Sequence, residues 1–151
     1  MRVLAIDYGV RRMGLAVSDP LGVTAQGLVT LEHSTSEGDL KKLSRLVMEH
    51  EVSRVIVGNP MHMNGSETAM SKKAVQFASR LRDRLTCPVE LWDERLSTAQ
   101  AEVVLREMNV KRSTRRKSID RMAATLLLQS YLDFRSTHTG QEESYFPGGS
   151  S

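Results

Sequence analysis

The stretch VLAIDYGVRRMGLAVSD, residues 3–19, decides the fold. Residues 2–7 (RVLAID) form a short apolar run that stops at Asp7, and residues 13–19 (MGLAVSD) form a second. A continuous apolar run suits a central strand covered on both faces. The link YGVRR is short enough for an antiparallel hairpin. Asp is a good turn residue, so Asp7 can simply start that turn. Alternatively the strand delivers a carboxylate to a site where metal or phosphate binds. The rest of the chain has to separate the two readings.

Outward from this hairpin, Asp19-Pro20-Leu21-Gly22 reads as a turn and residues 23–31 (VTAQGLVTL) as a third strand. The period then becomes helical. Ser36 with Asp39 resembles a helix start, and Leu40, Leu43, Leu46 and Val47 recur at helical spacing. RVIVG, 54–58, is a buried strand stopped by Gly58-Asn59-Pro60. A second helix carries Met70, Ala74, Phe77, Ala78, Leu81 and Leu85 on one stripe, and VELW, 89–92, is a fifth strand. Ser97 and Gln100 fit a capping box opening a third helix with Ala101, Val104, Leu105 and Met108 inward. A final helix runs to about Phe134.

The order βββαβαβαα implies an α/β fold: a mixed five-stranded sheet, three antiparallel strands plus two parallel, with helices on both faces. One domain over residues 1–135 is expected, followed by a disordered polar tail, 136–151, rich in Gly and Ser. Ligands in such sheets bind at the carboxyl ends of the parallel strands, and Asp7 lies at such an end.

Composition narrows the function classes. A hydrophobic share of 40% with 26% charged residues is ordinary for a soluble globular protein. The single Cys87 leaves no intramolecular disulfide and reads as a packed thiol in a reducing compartment. No apolar stretch suits a signal peptide or a membrane span, so a cytoplasmic protein is expected. The net charge of +3 and pI of 9.2 hint at a nucleic-acid partner. Histidines His33, His50, His62 and His138 are scattered without zinc spacing, and there is no Walker A or GxSxG pattern.

Asp7 has company. WDERLST, 92–98, puts Asp93 and Glu94 just past the fifth strand, on the same sheet edge. In RRKSIDRMAATLLLQSYLD, 115–133, Asp120 precedes Ala123, Ala124, Leu127 and Tyr131 at helical steps, on or beside the inward stripe. Each acid alone has a bland explanation as a turn or first-turn residue. Their convergence suits hard cations, Mg²⁺ or Mn²⁺, which prefer oxygen ligands. Two such ions can hold the attacking and leaving oxygens of a phosphodiester. Gly9 would then allow close approach of backbone or substrate.

Residues 111–121 place Lys111, Arg112, Arg115, Arg116, Lys117 and Arg121 around the one acid Asp120. Cations at a helix start oppose its dipole, so helix stability does not account for them. Beside a metal site they read as a phosphate-gripping stripe, which Arg11 and Arg12 would extend. With few aromatics, base stacking is a minor contributor.

Four blocks resemble the YqgF family: AIDYGVRRMGLAVSD, VIVGNPMHMNGSE, WDERLSTAQAE and KSIDRMAATLLLQSYLD, in order from Arg2 to Asp133. The resemblance implies a ribonuclease H-like fold and an acidic metal-binding triad of Asp7, Glu94 and Asp120, with Lys117 nearby. Many ribonuclease H relatives hold an acid where this chain has Gly58-Asn59-Pro60, so Glu94 substitutes. The implied activity is a metal-dependent nuclease maturing the 5′ end of pre-16S ribosomal RNA. Cutting branched DNA as a Holliday-junction endonuclease is the alternative, and would need a homodimer rather than a monomer. A non-catalytic RNA-binding module in ribosome assembly is a third reading. A phosphate-binding ATPase fragment ranks last, because one domain of this length cannot build a two-domain nucleotide cleft.

Overall fold

The computed structural model describes residues 1–60, 64–93 and 122–136. Its strands are β1 (Arg2–Tyr8), β2 (Arg12–Ser18), β3 (Ala25–Gly27), β4 (Leu31–Glu32), β5 (Val52–Asn59) and β6 (Val89–Asp93). Its helices are α1 (Ser36–Glu49), α2 (Ala69–Arg84) and α3 (residues 122–136). The sheet order is β3-β2-β1-β5-β6, with β4 also paired to β2. β1 is antiparallel to β2 and parallel to β5, and β5 is parallel to β6. This is the mixed α/β sheet expected from the sequence.

The third strand differs from expectation. Residues 23–31 do not form one strand: β3 and β4 share the edge position beside β2. The late start of β3 follows from the preceding turn. The Asp19 carboxylate accepts the backbone N–H groups of Val23 and Thr24 at 2.7 and 2.9 Å, so the turn extends to residue 24. These bonds, Thr24 first, hold the Asp19 carboxyl below the usual carboxylate range. Gly22, with φ of 71°, supplies the left-handed residue that the turn needs.

The helix starts follow side-chain capping. Thr35, not Ser36, caps α1, its hydroxyl accepting Gly38 N–H. Thr68 caps α2 through Ser71 N–H. The expected helix after Ser97 lies outside the described residues. α3 runs through residue 136, one residue into the stretch assigned to the tail.

Alternation along β1 divides the core into two layers. Leu4 and Ile6 pack with Met13, Leu15, Val55 and Val57 under α1 and α2, through Leu43, Ala74, Phe77 and Leu81. Val3 and Ala5 pack with Ala16 and Ile56 under α3, through Ala124, Leu127, Leu128 and Tyr131. Residues Val3 to Ile6 are therefore buried on both faces, as the unbroken apolar run requires. Full burial of each aliphatic side chain of Val, Leu or Ile size contributes roughly 1.5–3 kcal/mol.

α3 has a fixed direction across this sheet. Leu132, Asp133, Arg135 and Ser136 line a cavity with Met1 and Val3, so the end of α3 sits at the start of β1. Fifteen helical residues span about 22 Å, and seven strand residues about 23 Å. The described part of α3 is thus about as long as β1.

Candidate nucleic-acid active site

Asp7 is the sixth residue of β1 and is half-buried. Strand alternation puts it on the α3 side, after Val3 and Ala5. Its cross-strand partner is Gly14, which offers no side chain on that face. β1 and β5 are in register through Ile6 and Val57, and β5 meets β6 at Asn59 and Asp93. Asp7, Asn59 and Asp93 therefore share the carboxyl edge of the sheet. Two strand spacings separate β1 from β6, about 10 Å, a gap that side chains can bridge.

The turn after Asp7 is braced from several sides. Gly9 N–H donates to Arg12 O at 3.0 Å, and His33 N–H donates to Arg11 O at 2.9 Å. A Cβ on Gly9 would lie 2.7 Å from Arg12 O, so glycine is required by the chain's own backbone here. Of the expected close approach of backbone or substrate at Gly9, it is the backbone, at Arg12 O, that makes it. The His33 ring meets Gly9 O through Nε2 at 2.7 Å and the Asp39 carboxylate through Nδ1 at 2.9 Å.

Asp39 is only 4% exposed. Burial pushes its carboxyl up, but Ser34 N–H, the His33 ring and the Ser34 hydroxyl together hold it below the usual range. Tyr8 closes the cluster, its ring 4.9 Å from His33 and 4.6 Å from Phe77. Burial, aided by the Asp39 charge, pushes the Tyr8 phenol up, with Arg80 acting in the opposite sense.

The β5–α2 connection is pinned at the same edge. Asn59 Oδ1 accepts the buried Ser71 hydroxyl at 2.5 Å, and Thr68 Oγ1 donates to Pro60 O at 2.6 Å. Asn59 thus uses its side-chain oxygen to anchor α2. Cys87 is partly buried against the α1–α2 layer, and burial pushes its thiol up. It fits the packed thiol read from the sequence.

Of the sequence-derived site residues, Asp7, Arg11 and Arg12 are described. Arg11 is exposed on the turn, and Arg12 is half-buried at the start of β2. Glu94, Asp120, Lys111, Arg112, Arg115, Arg116, Lys117, Arg121, His62 and His138 lie outside the described residues. Asp93 ends β6, and Glu94 is the next residue in the sequence. Among the described residues no group of three or more His, Cys, Asp or Glu side chains converges, and no helix is long and apolar enough to cross a membrane. Carboxylate oxygens at this edge are the donor type that Mg²⁺ and Mn²⁺ take.

Sequence reasoning did not single out the His33–Asp39 pair or Ser71. A signal was available. Asp39 directly precedes Leu40 on the inward stripe of α1, and a buried acid needs a partner.

The family described as "RuvX: Holliday junction resolvase" matches residues 1–134. A Geobacillus kaustophilus protein named "Putative pre-16S rRNA nuclease" is 48% identical over 135 residues, covering 88% of this chain and 98% of that one. A Desulforamulus reducens protein of the same name is 42% identical over 133 residues, covering 88% and 97%. Among solved structures, Thermus thermophilus RuvC bound to a Holliday junction superposes with a TM-score of 0.57 at 18% identity, covering 91% of this chain and 96% of that one. The fowlpox virus resolvase bound to junction DNA gives 0.55 at 14% identity, covering 89% and 98%. These structural likenesses establish the ribonuclease H-like fold, and the sequence match is carried by almost the whole chain: the protein belongs to the RuvX/YqgF family of nucleases.

Proposed function

We propose that the protein is a metal-dependent nuclease that acts on structured RNA and matures the 5′ end of pre-16S ribosomal RNA in the cytoplasm. The observation that carries this reading is Asp7, set opposite Gly14 at the carboxyl edge of the sheet, in a chain whose relatives bear the name of that activity. Asp7, Glu94 and Asp120 would hold Mg²⁺ or Mn²⁺, which when bound supplies positive charge at the scissile phosphate.

The chain's own residues do the rest. β1 presents Asp7 on the α3 side of the edge, and the braced turn fixes the backbone immediately after it. Arg11 and Arg12, with Lys111, Arg112, Arg115, Arg116, Lys117 and Arg121, would hold flanking phosphates and orient the strand. A monomer suffices to cut one RNA strand.

A second reading keeps the chemistry and takes a four-way DNA junction as substrate. It is favoured by the family description and by the two junction-bound structures of the same fold. Symmetric cutting would then need a homodimer with two sites.

One experiment separates them. The protein is incubated with Mg²⁺ or Mn²⁺ on a precursor 16S fragment, a DNA junction and plain duplex, and the new ends are mapped. Cleavage confined to the 5′ region of the precursor supports the first reading. Paired nicks at the junction support the second, and no metal-dependent cleavage of any substrate contradicts both.

A further inference from the structure

We propose that His33 is a positioning residue: held by Asp39, it locks the turn that follows Asp7 and so keeps the Asp7 carboxylate and the Arg11 side chain in working register. The inference rests on the nuclease reading of Asp7.

The geometry has two sides. On one, Nε2 of His33 donates to the Gly9 carbonyl at 2.7 Å. On the other, Nδ1 meets the Asp39 carboxylate at 2.9 Å. Each ring nitrogen faces one polar partner, and no aliphatic side chain can make this link. Asp39 is in turn oriented by Ser34, whose N–H and hydroxyl reach Oδ1 at 3.0 and 3.1 Å. The Tyr8 ring lies against His33 and limits its rotation.

Hairpin stability alone is a poor explanation. The turn already has two backbone bonds, Gly9 N–H to Arg12 O and His33 N–H to Arg11 O. A hydrogen-bonded polar pair adds little net stability compared with apolar groups of the same shape. It does fix direction. The atom it grips, Gly9 O, is two residues after Asp7 and two before Arg11. Movement there shifts the proposed metal-holding acid and the proposed phosphate contact together.

Two substitutions discriminate between the two halves of the link. The amide of Gln reaches the place of imidazole Nε2, and that of Asn the place of Nδ1. His33→Gln therefore keeps the donor to Gly9 O, whereas His33→Asn keeps only the donor to Asp39. The measurements are kcat and KM on the substrate that wild type cleaves, melting temperature, and amide exchange at Gly9.

The expected result is kcat within about threefold of wild type for His33→Gln and a loss on the order of 10–100-fold for His33→Asn. Melting temperatures of the two variants should be alike, and Gly9 exchange faster in His33→Asn. Equal kcat in the two variants, or loss that follows melting temperature, overturns the proposal. If wild type cleaves nothing, the nuclease reading fails by itself. Gly9 exchange then decides the brace, and equal protection in the two variants overturns it.

Discussion

Asp7 stands directly across the β1–β2 ladder from Gly14, the one residue type that sets no side chain at the position opposite it. Cβ atoms of directly paired strand residues lie about 4.5–5.5 Å apart. Gly14→Ala therefore sets a methyl group beside the acid. Alanine is better suited than glycine to an extended backbone, so the melting temperature should hold within a few degrees. Cleavage should fall by roughly tenfold, since small misplacements at a reacting centre are costly. Unchanged kcat in Gly14→Ala would show that the space opposite Asp7 has no role.

Asp39 gives the fold an acid-sensitive contact. Its folded carboxyl titrates below the usual value of 3.8 because Ser34 and His33 outweigh the opposing effect of burial. A depressed folded pKa contributes stability that is present above 3.8 and is lost as pH falls through the lower folded value. Chemical denaturation between pH 7 and pH 2 should show Asp39→Asn to be less stable than wild type at neutral pH. The gap should narrow below pH 3.8. A gap that is constant across the range would remove the charge from the account.

Much of the fold is legible in the sequence because β1, β2 and residues 55–57 of β5 carry apolar runs, and a strand buried on both faces needs such a run. The edge was less legible. VTAQGLVTL has the alternation of one strand, but Asp19 captures the N–H groups of Val23 and Thr24, which delays pairing until Ala25. The site divides the same way. Asp7 is visible as an acid ending an apolar run, and Asn59 as the absence of one. The His33–Gly9 contact joins residues 24 apart through a backbone carbonyl, which carries no side-chain signature.

Ser71 tests the anchoring of α2 at this edge. Its side chain is fully buried and its hydroxyl donates to Asn59 Oδ1 at 2.5 Å. Ser71→Ala leaves that oxygen without this donor and should destabilise the protein by about 1–3 kcal/mol. Thermal unfolding checks the loss. Stability equal to wild type would mean that Asn59 is satisfied in another way.

Arg11 tests the nucleic-acid surface. It is exposed on the turn after β1, beside the proposed centre. If it neutralises one phosphate, Arg11→Ala should reduce the slope of log affinity against log salt by about one unit. The same change is expected for Arg115→Ala or Lys117→Ala. Slopes identical to wild type in all three variants would return these residues to the role of solvated charges.

The central claim is that Asp7 holds a catalytic metal ion. It is tested most directly by single-turnover cleavage of a precursor 16S fragment in Mn²⁺, comparing wild type with Asp7→Asn. Asparagine preserves shape and removes the charge. The account predicts a rate reduced by on the order of 10²-fold or more, as for removal of one group stabilising a transition state, with native circular dichroism. Metal-free melting should be no lower than that of wild type, because functional sites commonly lower stability. Cleavage by Asp7→Asn at the wild-type rate would contradict the account and leave Asp7 as a residue that merely begins a turn.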